Sequence, residues 1–305
     1  MPIEDGIFKF PVTPSTGLLT PREGAKTLIT PAFDKYYRNH ERMRWEVSDI
    51  PFDQIDRDLV TADQVAAVRW AMLIESHNPV VTADLLTYYR LDHEGAADAI
   101  VWGYEEFKHY LVERTYLQSP ALADLVDLED LDRELTATRA GEWGNKERGY
   151  TPLQVPIYRG IQEVATARYY YALARHTEEP VLKGLATLIA KDEVRHSERE
   201  FDKADVEWFK MPRTQALEQA DEVLLGLDMP GLTFIPDYQK YKEPVRRATG
   251  IGVVDVVIVL KKISALVGKA HMLDLARRRE FRDKVMGDYN LDPGEVVRQF
   301  VLGRK

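Results

Sequence analysis

Residues 105–109 read EEFKH and residues 192–196 read DEVRH. Glu106 and His109, and again Glu193 and His196, therefore stand three apart, each pair with an acid just before the Glu and a base just before the His. Seven His and 25 Glu in 305 residues make roughly 0.6 Glu-x-x-His pairs expected by composition, so a single pair carries no information. Two copies with matching flanks are expected in only about one chain in ten thousand. Residues three apart on a helix share a face, so a carboxylate and an imidazole at this spacing can converge on one metal ion. Two such helices can hold two ions.

A dinuclear site of this kind asks for one further Glu from each of two other helices. Between Gly149 and Thr177 the only acid is Glu163, set in apolar and aromatic surroundings where an unpaired carboxylate is costly. Between Asp63 and Asp84 the only acid is Glu75, which continues the helical stripe Val65, Val68, Met72. Glu75 precedes Glu106 by 31 residues and Glu163 precedes Glu193 by 30. Each interval fits an antiparallel helix hairpin, and the near-equal spacing implies an internal duplication. His77 lies two residues past Glu75, off its helical face, and reads as structural or as support for a ligand. Tyr169, Tyr170 and Tyr171 read as packing plus surface.

The rest of the chain agrees with a helical protein. From Thr61 to about 210 it is rich in Ala, Leu, Glu and Arg, broken at Asn78-Pro79, Ser119-Pro120, 141–150 and Glu179-Pro180. The segment 31–47 reads as a helix closed by Pro51. Period-two alternation is scarce, and VVDVVIV at 253–259 is the one ambiguous run. The fold class is all-α. Five prolines among the first 31 residues mark 1–34 as an extended arm, 35–210 as the metal-binding core and 211–305 as additional helices, all within one domain.

Composition narrows the chemistry. There is no Cys, which removes disulfides, thiolate nucleophiles, Cys-ligated zinc and iron–sulfur clusters. Any metal must be held by His, Asp and Glu. A net charge of −9 argues against nucleic acid as a partner. No stretch approaches the roughly 20 apolar residues that span a bilayer, and the N-terminus does not look like a secretory signal, so a cytoplasmic location is expected. Four carboxylates and two imidazoles form a hard, nearly charge-neutralising set for two divalent ions, suited to iron with manganese as a substitute. Thr166, one turn after Glu163, can line a pocket for oxygen and relay a proton.

EEFKH, DEVRH, QEVAT at 162–166, Glu75 and the preceding NHERMRWEVSDIPFDQID at 39–56 together resemble the soluble acyl-acyl carrier protein (stearoyl-type) desaturases, nearer their bacterial, actinobacterial-like branch. The resemblance covers roughly residues 35–210. It implies a ferritin-like bundle, a homodimer, two iron ions held by Glu75, Glu106, His109, Glu163, Glu193 and His196, and O2 as oxidant. It also implies electrons from a ferredoxin and a fatty acyl chain carried on acyl carrier protein. Asp192 and Arg195 are then expected to support the ligands, and Trp45 to sit near a route of electron entry. Lys108 departs from the plant-type pattern, which has Arg there. The competing expectations are a hydroxylase or oxygenase on the same scaffold, and a ferritin-like metal-binding or oxygen-scavenging protein without organic substrate.

Overall fold

The computed structural model describes residues 31–140, 149–226, 235–278 and 291–302. Among these residues every regular element is helical. The chain divides into two compact units, residues 1–43 and 44–305. In the first, helix α1 spans Pro31–Met43 and is braced by an i, i+4 pair, Arg38 Nε to Asp34 at 2.8 Å. The expected arm therefore gives way to helix at Pro31, and its residues 1–30 lie outside those described.

The second unit begins with three short 3₁₀ turns between Val47 and Leu59. The helix expected to run to 47 thus stops at Met43, which leaves Trp45 free to turn into the core. Helix α2 (Ala62–Glu75) starts in a reciprocal cap in which Thr61 and Gln64 each take the other's backbone N–H. After α3 (Asn78–Tyr88), α4 (His93–Leu117) is capped by Asp92, whose carboxylate accepts from Glu94 and Gly95. Helix α5 is Leu128–Ala140 and α6 is Gln154–His176. Pro180 opens α7 (Pro180–Trp208) at a position where its missing N–H is not needed. Glu179 caps the same end through Val181 and Leu182.

The expected second hairpin is present as α6 packed along α7. The first is not a simple hairpin, because the helix breaks at Ser76 and His77 and α3 intervenes between α2 and α4. Glu75 consequently ends α2 instead of lying within it.

The remaining helices are α8 (Arg213–Gly226), α9 (Gln239–Thr249), α10 (Val253–Val267), α11 (Lys269–Arg277) and α12 (Pro293–Leu302). VVDVVIV belongs to α10, where Asp255 accepts from the Gly252 N–H and is paired with Arg168 on α6. These helices cover the core: α9 packs on α2 and α6, and α8 and α10 pack on α6. The turn between α9 and α10 needs Gly250, which has φ of 57° and lies so close to His176 that a Cβ would meet the ring at 2.5 Å. No helix among the described residues is long and apolar enough to cross a membrane. The run of bases at 277–284 falls largely outside the described residues.

Candidate metal centre

Six buried side chains from four helices meet at the centre of the second unit. Glu75, Glu106, His109 and Glu193 form one group, and Glu106, Glu163, Glu193 and His196 a second. Within each group one donor atom per residue lies within 4.8 Å of all the others. These are the six residues that the duplicated spacing singles out.

Glu106 and Glu193 belong to both groups, and their oxygens divide between them. Glu106 turns Oε2 to His109 Nδ1 (3.6 Å) and Oε1 to His196 Nδ1 (2.9 Å). Glu193 turns Oε1 to His109 Nδ1 (3.4 Å) and Oε2 to His196 Nδ1 (3.2 Å). Each can therefore bridge two cations. Glu75 and Glu163 stand at the two ends as terminal carboxylates, with Glu163 Oε2 3.6 Å from His196 Nδ1.

The electrostatics of this cluster fit bound cations. Burial, reinforced by Glu106 and Glu193, pushes Glu75 well above the usual carboxylate range, and burial with Glu106 does the same to Glu163. At Glu106 burial is outweighed by the two imidazoles, which hold it low. His109 Nδ1 and Glu193 Oε1 are fully buried without a hydrogen bond. Orphaned donors and acceptors converging on one point are costly in an apolar interior, and two divalent cations would satisfy them and offset the four negative charges. Glu75 is further disfavoured by its place at the C-terminal, negative end of α2. Asn78 Nδ2 compensates by donating to its Oε2 at 2.7 Å.

Both imidazoles turn Nδ1 inward and Nε2 outward, and the outward contacts cross between helices. His109 on α4 meets Asp192 on α7 at 3.1 Å, and His196 on α7 meets Glu105 on α4 at 2.8 Å. A carboxylate behind a ligating imidazole fixes its ring and raises its basicity. Arg195 joins the two acids, donating to Glu105 at 2.8 Å and to Asp192 at 2.6 Å. Trp45 donates to Asp192 at 2.9 Å and stacks on His109 with ring centroids 6.3 Å apart. Lys108 lies 4.0 Å over the Trp45 ring and 3.5 Å from Asp192. Burial would raise the Asp192 carboxyl, but His109, Arg195 and Lys108 outweigh it and hold it at about 2.

Asp192 thus stands behind His109, and Arg195 links it to Glu105. Glu105, not among the expected supporting residues, holds the ring of His196. Its signal was present, since an acid precedes the ligand Glu in both copies of the motif. Glu113, two turns beyond Glu106, had no such signal. It receives the Tyr170 hydroxyl at 2.8 Å, and that hydroxyl also lies 3.3 Å from Glu75. Tyr170 is therefore more than packing. Thr166 is half-buried one turn from Glu163. His77 is buried and outside both groups, and burial lowers its basicity.

Glu113 carries a pH prediction. Burial pushes its carboxyl up to about 8, the Tyr170 hydrogen bond notwithstanding. The group takes its proton more readily in the fold than in the unfolded chain. The stabilisation from that proton is complete below about 4.5 and is lost as pH rises through about 8. Glu113→Gln is therefore expected to leave the metal-free protein nearly unchanged at pH 4.5 and to stabilise it at pH 9 by on the order of 4 kcal/mol. Urea unfolding at the two pH values measures the difference, and an equal effect at both would contradict it.

A helical bundle with two Glu-x-x-His helices and two further glutamates around a paired donor set defines the ferritin-like class. Within that class the chain belongs to the fatty acid desaturase family, whose model matches residues 92–287. It is 34% identical over 97 residues to DesA2 of Mycobacterium tuberculosis, a candidate acyl-ACP desaturase by name, in a match that covers 32% of this chain and 34% of the relative. The chain thus spans about a third of the length of that relative. The X-ray structure of DesA2 from strain H37Rv superimposes with a TM-score of 0.57 at 21% identity, covering 80% of this chain and 96% of that one. A structure of an R2-like ligand-binding oxidase with a reconstituted Mn/Fe cofactor matches at 17% identity with a TM-score of 0.47, over 86% of this chain and 91% of the other.

Proposed function

We propose that the protein is an O2-dependent acyl-ACP desaturase that inserts a double bond into a carrier-bound fatty acyl chain. The observation that carries the proposal is the pair Glu106 and Glu193, each giving one oxygen to either imidazole, in a chain of the fatty acid desaturase family. Two iron ions, or manganese in their place, held by Glu75, Glu106, His109, Glu163, Glu193 and His196 would supply the site where O2 is reduced as two hydrogens leave adjacent methylenes. The balance is one alkyl segment, O2, two electrons and two protons giving one alkene and two waters. A ferredoxin-type donor suits the electron supply.

The chain's own residues support the parts of that reaction. Trp45, Asp192 and His109 form a continuous stacked and hydrogen-bonded path to the centre, suited to electron entry. To the Thr166 hydroxyl, one turn from Glu163, we assign the delivery of a proton. Glu105, Asp192 and Arg195 hold the two imidazole rings in the orientation a metal needs.

A homodimer is supported by the outer face of α4. Ile100, Tyr104, Phe107 and Leu111 are all exposed at steps of four, three and four, which forms a continuous apolar seam along the helix. Phe107→Glu is expected to yield a monomer in sedimentation, and an unchanged mass would remove this seam as the interface.

The catalytic reading is tested by loading the protein with Fe(II), adding reductant, O2 and acyl-ACP, and weighing the product. Loss of two hydrogens supports desaturation. An added oxygen atom indicates a hydroxylase, and no product with two irons bound indicates a metal-binding or oxygen-scavenging protein.

A further inference from the structure

The two terminal carboxylates have different neighbours. Glu75 receives Asn78 Nδ2 at 2.7 Å on one oxygen and has the Tyr170 hydroxyl at 3.3 Å on the other, both neutral groups. Glu163 has both of its neighbours on Oε1: Trp102 Nε1 at 3.1 Å and Arg159 Nη2 at 3.3 Å. The guanidinium of Arg159 also lies 4.1 Å over the Trp102 ring, so the cation and the indole form one clamp. Only Oε2 of Glu163 is left facing His196.

Arg159 is itself built into a buried ionic cluster. Its Nε lies 3.6 Å from Glu200, which is 3.2 Å from Lys203. Asp98 is paired with both Lys203 and Arg199. Burial brings the Lys203 ammonium down to about 7, so Arg159 and Arg199 are the standing cations beside Asp98 and Glu200, and the charge that touches the metal centre is that of Arg159. Lys108 and Arg195 lie further out, behind Asp192 and Glu105, and so stand one carboxylate away from either imidazole.

We infer that Arg159 and Trp102 make the two metal positions unequal: the position lined by Glu75 and His109 fills first, and that lined by Glu163 and His196 fills second. This rests on the dinuclear reading of the site. A carboxylate already paired with a buried guanidinium has less charge to offer a cation, and the guanidinium repels the incoming dication directly where screening is weak. Even with Glu200 offsetting part of that charge, the two dissociation constants are separated by roughly tenfold to a hundredfold. Arg159 is thus a positioning residue, and Trp102 holds Oε1 of Glu163 from the other side.

The test is titration of the metal-free full chain with Co(II), followed by calorimetry and by the visible absorption of the bound ion. Two separated steps are expected. Glu163→Ala is expected to keep the tight step and lose the weak one, and Glu75→Ala the reverse. Arg159→Gln is expected to tighten the second step about tenfold and narrow the gap, a gain that structural damage would not produce. Arg159→Gln combined with Glu200→Gln removes both members of the pair and keeps the test available if the single variant unfolds. Two equal steps in the wild type, loss of the tight step in Glu163→Ala, or a gap unchanged in the folded Arg159 variants would overturn the inference. Failure of the wild type to bind two ions would instead remove the dinuclear reading on which it rests.

Discussion

Glu106→Gln is expected to empty both metal positions together, whereas Glu75→Gln and Glu163→Gln each empty one. The difference follows from the division of oxygens at Glu106, with Oε2 toward His109 and Oε1 toward His196. The amide nearly preserves the shape of the side chain, so folding is spared. It removes one negative charge from each group and replaces one acceptor by an N–H donor aimed at a cation. Outer carboxylates that merely orient a ligand are worth about 10–100-fold in metal affinity, so loss of a bridging ligand should exceed that for each ion. Iron per chain after desalting is expected to fall from about two to near zero. A residual content equal to that of Glu75→Gln would show that Glu106 serves only one ion.

Arg195→Met is expected to destabilise the fold by about 3–5 kcal/mol, because it leaves Glu105 and Asp192 buried as two carboxylates without their shared cation. Both acids are fully enclosed, and Arg195 donates to each within 2.8 Å. Lys108 reaches only Asp192 and only at 3.5 Å, and beyond it each acid keeps one imidazole, His109 on Asp192 and His196 on Glu105. Adding Glu105→Gln and Asp192→Asn to Arg195→Met should recover most of the loss, since amides carry no charge to strand. Urea midpoints of the single and triple variants decide the matter. A triple variant no more stable than Arg195→Met would mean that the guanidinium acts through packing and not through these acids.

Much of the site was legible because its chemistry is repetitive. Carboxylate and imidazole must share a helical face, and the chain states that requirement twice. A lone acid in an apolar helix, as at Glu163 and Glu75, needs a partner, and the spacing names it. What was not legible depends on contacts between helices distant in sequence. The crossing of Glu105 to His196 and of Asp192 to His109 requires α4 and α7 to be side by side, and no local pattern encodes which acid serves which ring. Trp102 on α4 joins Glu163 on α6 for the same reason, whereas Arg159 sits one turn before Glu163 on its own helix.

The first half of the fold departs from the second for a local reason. Asn78-Pro79 was visible as a break, but the helix that follows it was not distinguished from the hairpin. With α3 inserted, Glu75 ends α2, and Asn78, three residues later, returns to hold its carboxylate. Likewise VVDVVIV has the branched residues of a strand, yet Asp255 bonded to the Gly252 N–H starts a helix there, and the Arg168 pair ties it to α6. Tertiary contacts overrode local propensity at that point.

The most direct test of the metal centre is anomalous diffraction from crystals of the iron-loaded protein, recorded at the iron edge. The expected result is two peaks, one among Glu75, Glu106, His109 and Glu193 and the other among Glu106, Glu163, Glu193 and His196. A single peak, or peaks away from these six residues in a protein shown to carry two irons, would contradict it.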